Sequence, residues 1–248
     1  MRTRWDVVEG LGLLSLDAPP GNALPDPEFM PLDELKSRTA DEGLRGLVIT
    51  GAGRHFSSGA DEEKLFAAAR DRDALVSRVA AGRALLDHLA DLPVPTVAAV
   101  RGLCFGGGLE IALACHFRFC GERSLFAFPE ANLALIPGLN GPWRLAELVG
   151  RAAALDILLS GDSLNASRAR DIGLVDRVVP GKTVADDALA FLDELTRERP
   201  LAVIRGIVSS VNAVGRRSLE ESMDAESRIF CELAAAEAAR RRLAEDAE

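Results

Sequence analysis

Near the start of the chain, "WDVVEGLGLLSLD" sets two short apolar runs on either side of Glu9-Gly10, a pattern that predicts a β-hairpin ending at the proline-rich "APPGNALP". "EFMPLDELKSRTA" has the spacing of a short helix broken by Pro31. "LRGLVITGAG" is a β-branched run closing on Gly-Ala-Gly and predicts a buried strand that ends in a loop. From Glu62 the pattern turns helical through "LFAAARDRDALVSRVAAGRALLDHLADL". "TVAAV" is too short and too uniformly apolar for anything but a buried strand, and the following "RGLCFGGGLEIALACHFRFCG" reads glycine turn, helix, strand, a βαβ-like unit. "SLFAFPEANLALIPGLNG" predicts a further strand, a Pro-Glu break and an irregular loop, and "PWRLAELVGRAAALDILLSG" a helix pair. "SLNASRARDIGLVDRVVP" predicts a Ser/Asn-capped helix and a last short strand. From about Thr183 the chain is helix-patterned throughout, rich in Ala, Glu, Leu and Arg. No internal repeat or low-complexity linker marks a second independent domain. The fold class is therefore α/β, with a core domain over residues 1–182 and a helical region over 183–248 that packs across the core or onto a neighbouring subunit.

Composition narrows the function classes. The chain has 248 residues with 48% hydrophobic content, enough for one sizeable core. Its formal charge of −9 would repel phosphates, so nucleic acid is excluded as a main partner. Cys104, Cys115, Cys120 and Cys231 form neither a CxxC pair nor a zinc-finger spacing, and read as reduced core residues, with no metal site expected. Asp6 and Glu9 interrupt the N-terminal apolar stretch, and no later stretch reaches the length of a membrane span. The expectation is a cytoplasmic protein without a signal peptide or a membrane contact.

The candidate chemistry sits in "GGGLEIALAC", where Gly106-Gly107-Gly108 precede a single acid, Glu110, in an apolar helix. Glycines let a backbone approach a ligand closely, and a helix starting there directs free N–H groups and its positive dipole end outward. Such a turn can hold an anion or an oxyanion. Taken alone, the triplet reads more simply as a tight strand-to-helix turn. The chain has neither a dinucleotide fingerprint in a first βαβ unit nor a G-x-x-x-x-G-K-[ST] phosphate loop, so an ATPase reading is rejected.

Further stretches give the triplet its context: "NAL" at Asn22 to Leu24, "LRGLVITGAGRHFSSGAD", "PVPTVAAVRG", "FPEANLALIPG" and "LSGDSLNASRARDIGLVDRVVP". In order and spacing these resemble the successive signatures of the crotonase superfamily, the enoyl-CoA hydratases and isomerases, over most of the chain. The resemblance implies a spiral of ββα units followed by C-terminal helices that trimerise, and a homotrimer or dimer of trimers as the assembly. It implies an acyl thioester substrate, carried on coenzyme A or on the phosphopantetheine of an acyl carrier protein, with no separate cofactor. The backbone N–H groups of Ala60 and Gly107 are implied as the oxyanion hole, and Glu110 and Glu130 as the catalytic acids. Ser58, Gly59, Asp61, Gly106, Gly108, Pro137, Gly138 and Leu139 are implied around the substrate.

The physical sense of that set is direct. Preorganised amides stabilise charge developing on a thioester carbonyl, each such donor being worth about 3 to 4 kcal/mol of activation free energy. Two carboxylates beside one water suit hydration of an α,β-unsaturated thioester, since the pair can activate water for attack at Cβ and deliver a proton to Cα. Like charges held close are expected to push the two pKa values apart. Retention of both acids makes a hydratase/dehydratase, a lyase, the leading function. Isomerisation or decarboxylation of an acyl thioester, or a non-catalytic crotonase-like subunit, are the alternatives.

The chain departs from the family pattern at several points. Ala18 stands where the family has a basic residue near the nucleotide phosphates, which opens the way to a carrier-protein substrate as in polyketide-type pathways. Leu139, Asn140 and Trp143 replace small residues after "IPG" and are expected to reshape the acyl pocket. His116 stands where an aspartate is usual and is expected to be a packing residue, with His55 and His88 structural or on the surface. Arg240, Arg241 and Arg242 read as a solvated helix face.

Overall fold

The computed structural model describes residues 2–245. The predicted hairpin forms as β1 (Arg2–Val8) and β2 (Leu11–Asp17), antiparallel from Arg2 opposite Asp17 to Val8 opposite Leu11. α1 (Leu32–Thr39) does not run through Pro31 but starts after it. Pro31 has no N–H to lose at that position, and its carbonyl accepts from the amides of Glu34 and Leu35. After β3 (Gly46–Gly51), the helical stretch beginning at Glu62 divides into α2 (Glu62–Ala68) and α3 (Arg72–Ala90). Asp71 causes the division, because its carboxylate caps α3 by accepting from the Ala74 amide at 3.0 Å.

The central unit follows as β4 (Thr96–Val100), β5 (Leu103–Phe105), α4 (Gly107–Leu113), β6 (Phe117–Gly121) and β7 (Leu125–Ala127), then a 3-10 helix over Pro129–Leu133. α5 (Gly141–Val149) and α6 (Arg151–Ser160) are the predicted helix pair. β8 (Leu164–Asn165), α7 (Ala166–Asp171) and β9 (Arg177–Val179) come next, with Asn165 capping α7 through the Arg168 amide. The chain ends in α8 (Val184–Thr196), α9 (Leu201–Asn212) and α10 (Leu219–Glu245).

Six strands make one sheet in the order β1-β2-β3-β4-β6-β9, parallel except for β1, and β5-β7-β8 make a smaller second sheet. Alternate side chains of the large sheet enter opposite cores. Leu14, Leu16, Leu47, Ile49, Ala98 and Val100 face the main core, whereas Leu11, Val48, Val97, Ala99 and Phe119 face a second cluster closed by Val184, Ala188 and Leu192 of α8. Burial on both faces explains why these strands read as unbroken apolar runs. The helical C-terminal stretch thus divides: α8 packs on the sheet, while α9 and α10 pack against each other.

The path of the chain is a spiral. Each of β3, β4 and β6 joins the large sheet, and the segment after it steps across to a second layer. In that layer Ser57 pairs in parallel with Cys104, and Cys104 with Phe126. Periodicity along the sequence does not show this stacking, because each pair joins residues from different turns.

The histidines are structural, as expected. His116 Nδ1 meets the Thr96 amide at 3.1 Å and its Nε2 meets Asn212 Oδ1 at 2.9 Å, while His55 Nδ1 accepts from the Leu103 amide at 3.1 Å. Three of the four cysteines are buried, but Cys231 is exposed and is not a core residue, because it lies on a face of α10 that no described residue covers.

Candidate active site

The stacking of the spiral assembles the site. Ser57 lies beside Cys104, and Phe105 pairs with Ala127. Three positions beyond Ser57 and Cys104, Ala60 and Gly107 therefore arrive side by side, with Pro129-Glu130 at the same level on the next turn. All three segments reach one cleft of about 230 Å³ lined by Ala60, Gly107, Glu110 and Glu130. Residues distant in sequence meet because successive turns carry equivalent positions to one edge.

Both predicted amide donors are free. The Leu24 amide donates to the Gly59 carbonyl and the Asp61 amide to the Leu24 carbonyl, which ties down both neighbours of Ala60 and leaves its own N–H without a partner among the described residues. Gly107 is the first residue of α4, whose N–H has no carbonyl one turn earlier to bind. Gly106 makes the entry possible, with φ +49° and a missing side chain whose Cβ would lie 2.7 Å from Glu130 Oε1. No other residue type combines that conformation with room for the acid.

Glu110 is 2% exposed, and its Oε1 accepts from the amides of Leu139 at 2.6 Å and Gly141 at 2.8 Å. A Cβ on Gly141 would stand 2.8 Å from the same oxygen, so glycine is what lets the α5 backbone close on the carboxylate. Burial raises the Glu110 pKa to about 7, opposed by the two amide bonds, with a smaller upward contribution from Glu130 and a downward one from Arg144. Glu130 is also raised, by burial, and its Oε2 is buried without a hydrogen-bond partner among the described residues. The two acids are thus not driven apart by their mutual charge. Removal from water moves both upward, and their repulsion is the lesser effect.

The remaining implied residues divide by position. Asp61, Gly138 and Leu139 line the cleft, whereas Ser58 lines an adjoining groove with Ala18, Pro19 and Lys64. Gly59 and Gly108 serve the backbone: Gly59 turns with φ +94°, and a Cβ on Gly108 would meet Ser57 Cβ at 2.6 Å. Pro137 is buried beside the cleft without lining it. Trp143 does not shape the acyl pocket as expected. It is 53% exposed and, with Asn140, lines a separate cavity shared with Asp87 and Arg144.

Sequence reasoning missed the opposite wall, formed by Leu75 and Val79 of α3, and the ion pair between Arg78 and Asp26 at the cleft. The i, i+4 spacing of Leu75 and Val79 marked an apolar helix face but not what it faced. Asn22 is also structural to the site: its Nδ2 donates to the carbonyls of Ala52 at 2.9 Å and His55 at 2.8 Å, fixing the loop that carries Leu24.

The enoyl-CoA hydratase/isomerase family model matches residues 7–245. The fatty acid oxidation complex subunit alpha of Shewanella amazonensis is 41% identical over 192 residues, 73% of this chain and 26% of that protein. The mitochondrial enoyl-CoA hydratase of Pongo abelii is 32% identical over 89% of this chain and 75% of its own. A crystal structure of an enoyl-CoA hydratase subunit I from Geobacillus kaustophilus HTA426 superposes with TM-score 0.85 at 30% identity, covering 98% of this chain and 93% of that one. The match spans only about a quarter of the Shewanella protein's length.

Proposed function

The chain belongs to the enoyl-CoA hydratase/isomerase family, and on that premise we propose that it adds water reversibly to an α,β-unsaturated acyl thioester. The observation that carries the reading is the convergence of two free amides, Ala60 and Gly107, and two acids, Glu110 and Glu130, on one cleft.

In this mechanism the thioester carbonyl oxygen sits between the two amides, which stabilise the enolate formed when a nucleophile adds at Cβ. Glu110 is the base. Its Oε1 is held by two amides that favour the ionised form, and with a pKa of about 7 it is partly ionised near neutral pH. It takes a proton from water as the water oxygen bonds to Cβ, and the Cα–Cβ double-bond electrons pass to the carbonyl. Glu130 is the acid, because its buried Oε2 lacks a donor and is best satisfied by carrying a proton, which it delivers to Cα as the enolate collapses. Both acids are used, and this distinguishes hydration from isomerisation or decarboxylation.

The handle is read as coenzyme A. A carrier-protein thioester is the second reading, favoured by the groove beside the cleft, where Ala18 and Pro19 stand and Lys64 is engaged by Asp61 at 3.2 Å. The assembly is read as a homotrimer or dimer of trimers, supported by exposed Ile207 and Val211 on α9 and Met223 and Phe230 on α10.

The test is incubation with crotonyl thioesters and with carboxylated acyl thioesters, each on coenzyme A and on a phosphopantetheinylated carrier protein, followed by product mass and by chromatography that separates isomers. Gain of one water supports the proposal. An isomer of unchanged mass, or loss of carbon dioxide from a carboxylated substrate, would replace it with the alternative chemistry, and no turnover of any form would favour a non-catalytic subunit.

A further inference from the structure

Arg144 is 8% exposed, on α5, one turn beyond the two amides that hold Glu110. Its own amide closes the first turn of α5 by donating to the Asn140 carbonyl at 3.0 Å, across an Asn140 held at φ +70°. Its guanidinium reaches out of α5 to Asp87 Oδ1 on α3 at 2.6 Å, and its Nε is buried without a partner among the described residues. Asp87 is 55% exposed, so water screens the anion while the cation stays in the interior. α3 also forms the far wall of the cleft through Leu75 and Val79.

We propose that Arg144, anchored by Asp87, is a positioning residue for Glu110: it fixes the first turn of α5 to α3 so that the Leu139 and Gly141 amides stay on the carboxylate, and it keeps an incompletely balanced positive charge on the helix whose start holds that carboxylate. The inference rests on the hydratase reading for its kinetic consequences, though not for its geometry. A buried acid with two amide donors still loses ionisation to burial, and a cation in the same interior is the remaining way to restore it. The downward influence of Arg144 on Glu110 agrees with this. The other charged groups around Glu110 are Glu130 from the 3-10 helix, Asp61 and Lys64 at the α2 side, and Asp26 with Arg78 at the α3 side. All three cations are paired, but Lys64 and Arg78 are themselves exposed, whereas Arg144 is buried and only its partner Asp87 stands in water, so Arg144 is the cation whose charge acts within the interior against Glu130.

The test compares the wild type with Arg144→Met, Arg144→Lys and Asp87→Asn in crotonyl-CoA hydration across about pH 5.5 to 9, with thermal melts as a folding control. Arg144→Met is expected to lower kcat by roughly tenfold or more with KM within about threefold, and to move the acid limb up by about one pH unit. Arg144→Lys keeps the charge and is expected to hold the limb near its wild-type position. Asp87→Asn leaves Arg144 less balanced and is expected to move the limb down, a sign that loss of packing alone does not produce. A folded Arg144→Met with unchanged kcat and limb would overturn the proposal. So would equal kcat losses in the Met and Lys variants with the limb unmoved, or an Asp87→Asn limb that is unmoved or raised. If Arg144→Met does not fold, Asp87→Asn decides by the same criterion. Carbon NMR titration of the Glu110 carboxyl in these proteins is expected to give the same order of pKa values. It needs no turnover, so a wild type that hydrates nothing would remove the hydratase reading, while the NMR order would still support or overturn the role of Arg144.

Discussion

At the residue scale, the site depends on carboxylates kept out of water. Glu110→Gln and Glu130→Gln are each expected to reduce turnover of an enoyl thioester by roughly a hundredfold or more with little change in KM, because each removes a proton-transfer group and keeps its shape. Steady-state kinetics with a melting curve for each variant checks this. Glu110 also makes a stability prediction. Its folded pKa of about 7 lies above its unfolded value near 4.5, so the folded state binds the proton more tightly. Stability is then greatest below about pH 4.5, falls as pH rises toward 7, and carries the full cost above that. Glu110→Gln escapes the cost, since a side-chain carbonyl oxygen can still accept from Leu139 and Gly141. It is expected to gain stability relative to wild type on going from pH 5 to pH 8, by up to about 3 kcal/mol. Denaturant melts at the two pH values measure the difference, and an unchanged gap would place the ionised acid in a better-solvated site than the structure gives it.

At the element scale, the turns that present amides have no slack. Gly106→Ala would set a Cβ 2.7 Å from Glu130 Oε1 at a φ of +49°. A loss of about 1 to 3 kcal/mol of stability, together with a fall in kcat, is expected by melting and kinetics. Much of this level was legible in the chain. The hairpin was marked by Glu9-Gly10, the buried strands by unbroken apolar runs, and α7 by its Asn165 cap. Pro31 reads as a helix break in the sequence because a proline that starts a helix and one that breaks it differ only in which side is helical. The place of Trp143 is not legible in the sequence, because "IPGLNGPW" gives no sign of where α5 begins, and hence of which way each side chain turns. The Glu110 and Glu130 roles came from resemblance. The stacking that joins them with Ala60 and Gly107 rests on parallel pairing of Ser57, Cys104 and Phe126, which no local pattern encodes. Arg144 was invisible for the same reason, as its weight comes from burial and from Asp87 on another helix.

At the scale of the whole molecule, α9 and α10 leave large apolar side chains uncovered, among them Phe230 at 72% exposure, and Val214 between the two helices is 80% exposed. Sedimentation at micromolar concentration is expected to show a trimer or a dimer of trimers, and a monomer would refute the proposed assembly. The large sheet and its spiral bring two amides and two acids to one edge, and the proposed activity stands on what that edge does. It is tested most directly by incubating crotonyl-CoA with wild-type protein in water enriched in heavy oxygen and determining the product's mass and label position. A 3-hydroxyacyl product with solvent oxygen at C3 is expected, formed by the wild type and reduced roughly a hundredfold or more in Glu110→Gln and in Glu130→Gln. A product without solvent oxygen would contradict the proposed hydration, and label incorporation unaffected by either substitution would contradict the roles proposed for the two acids.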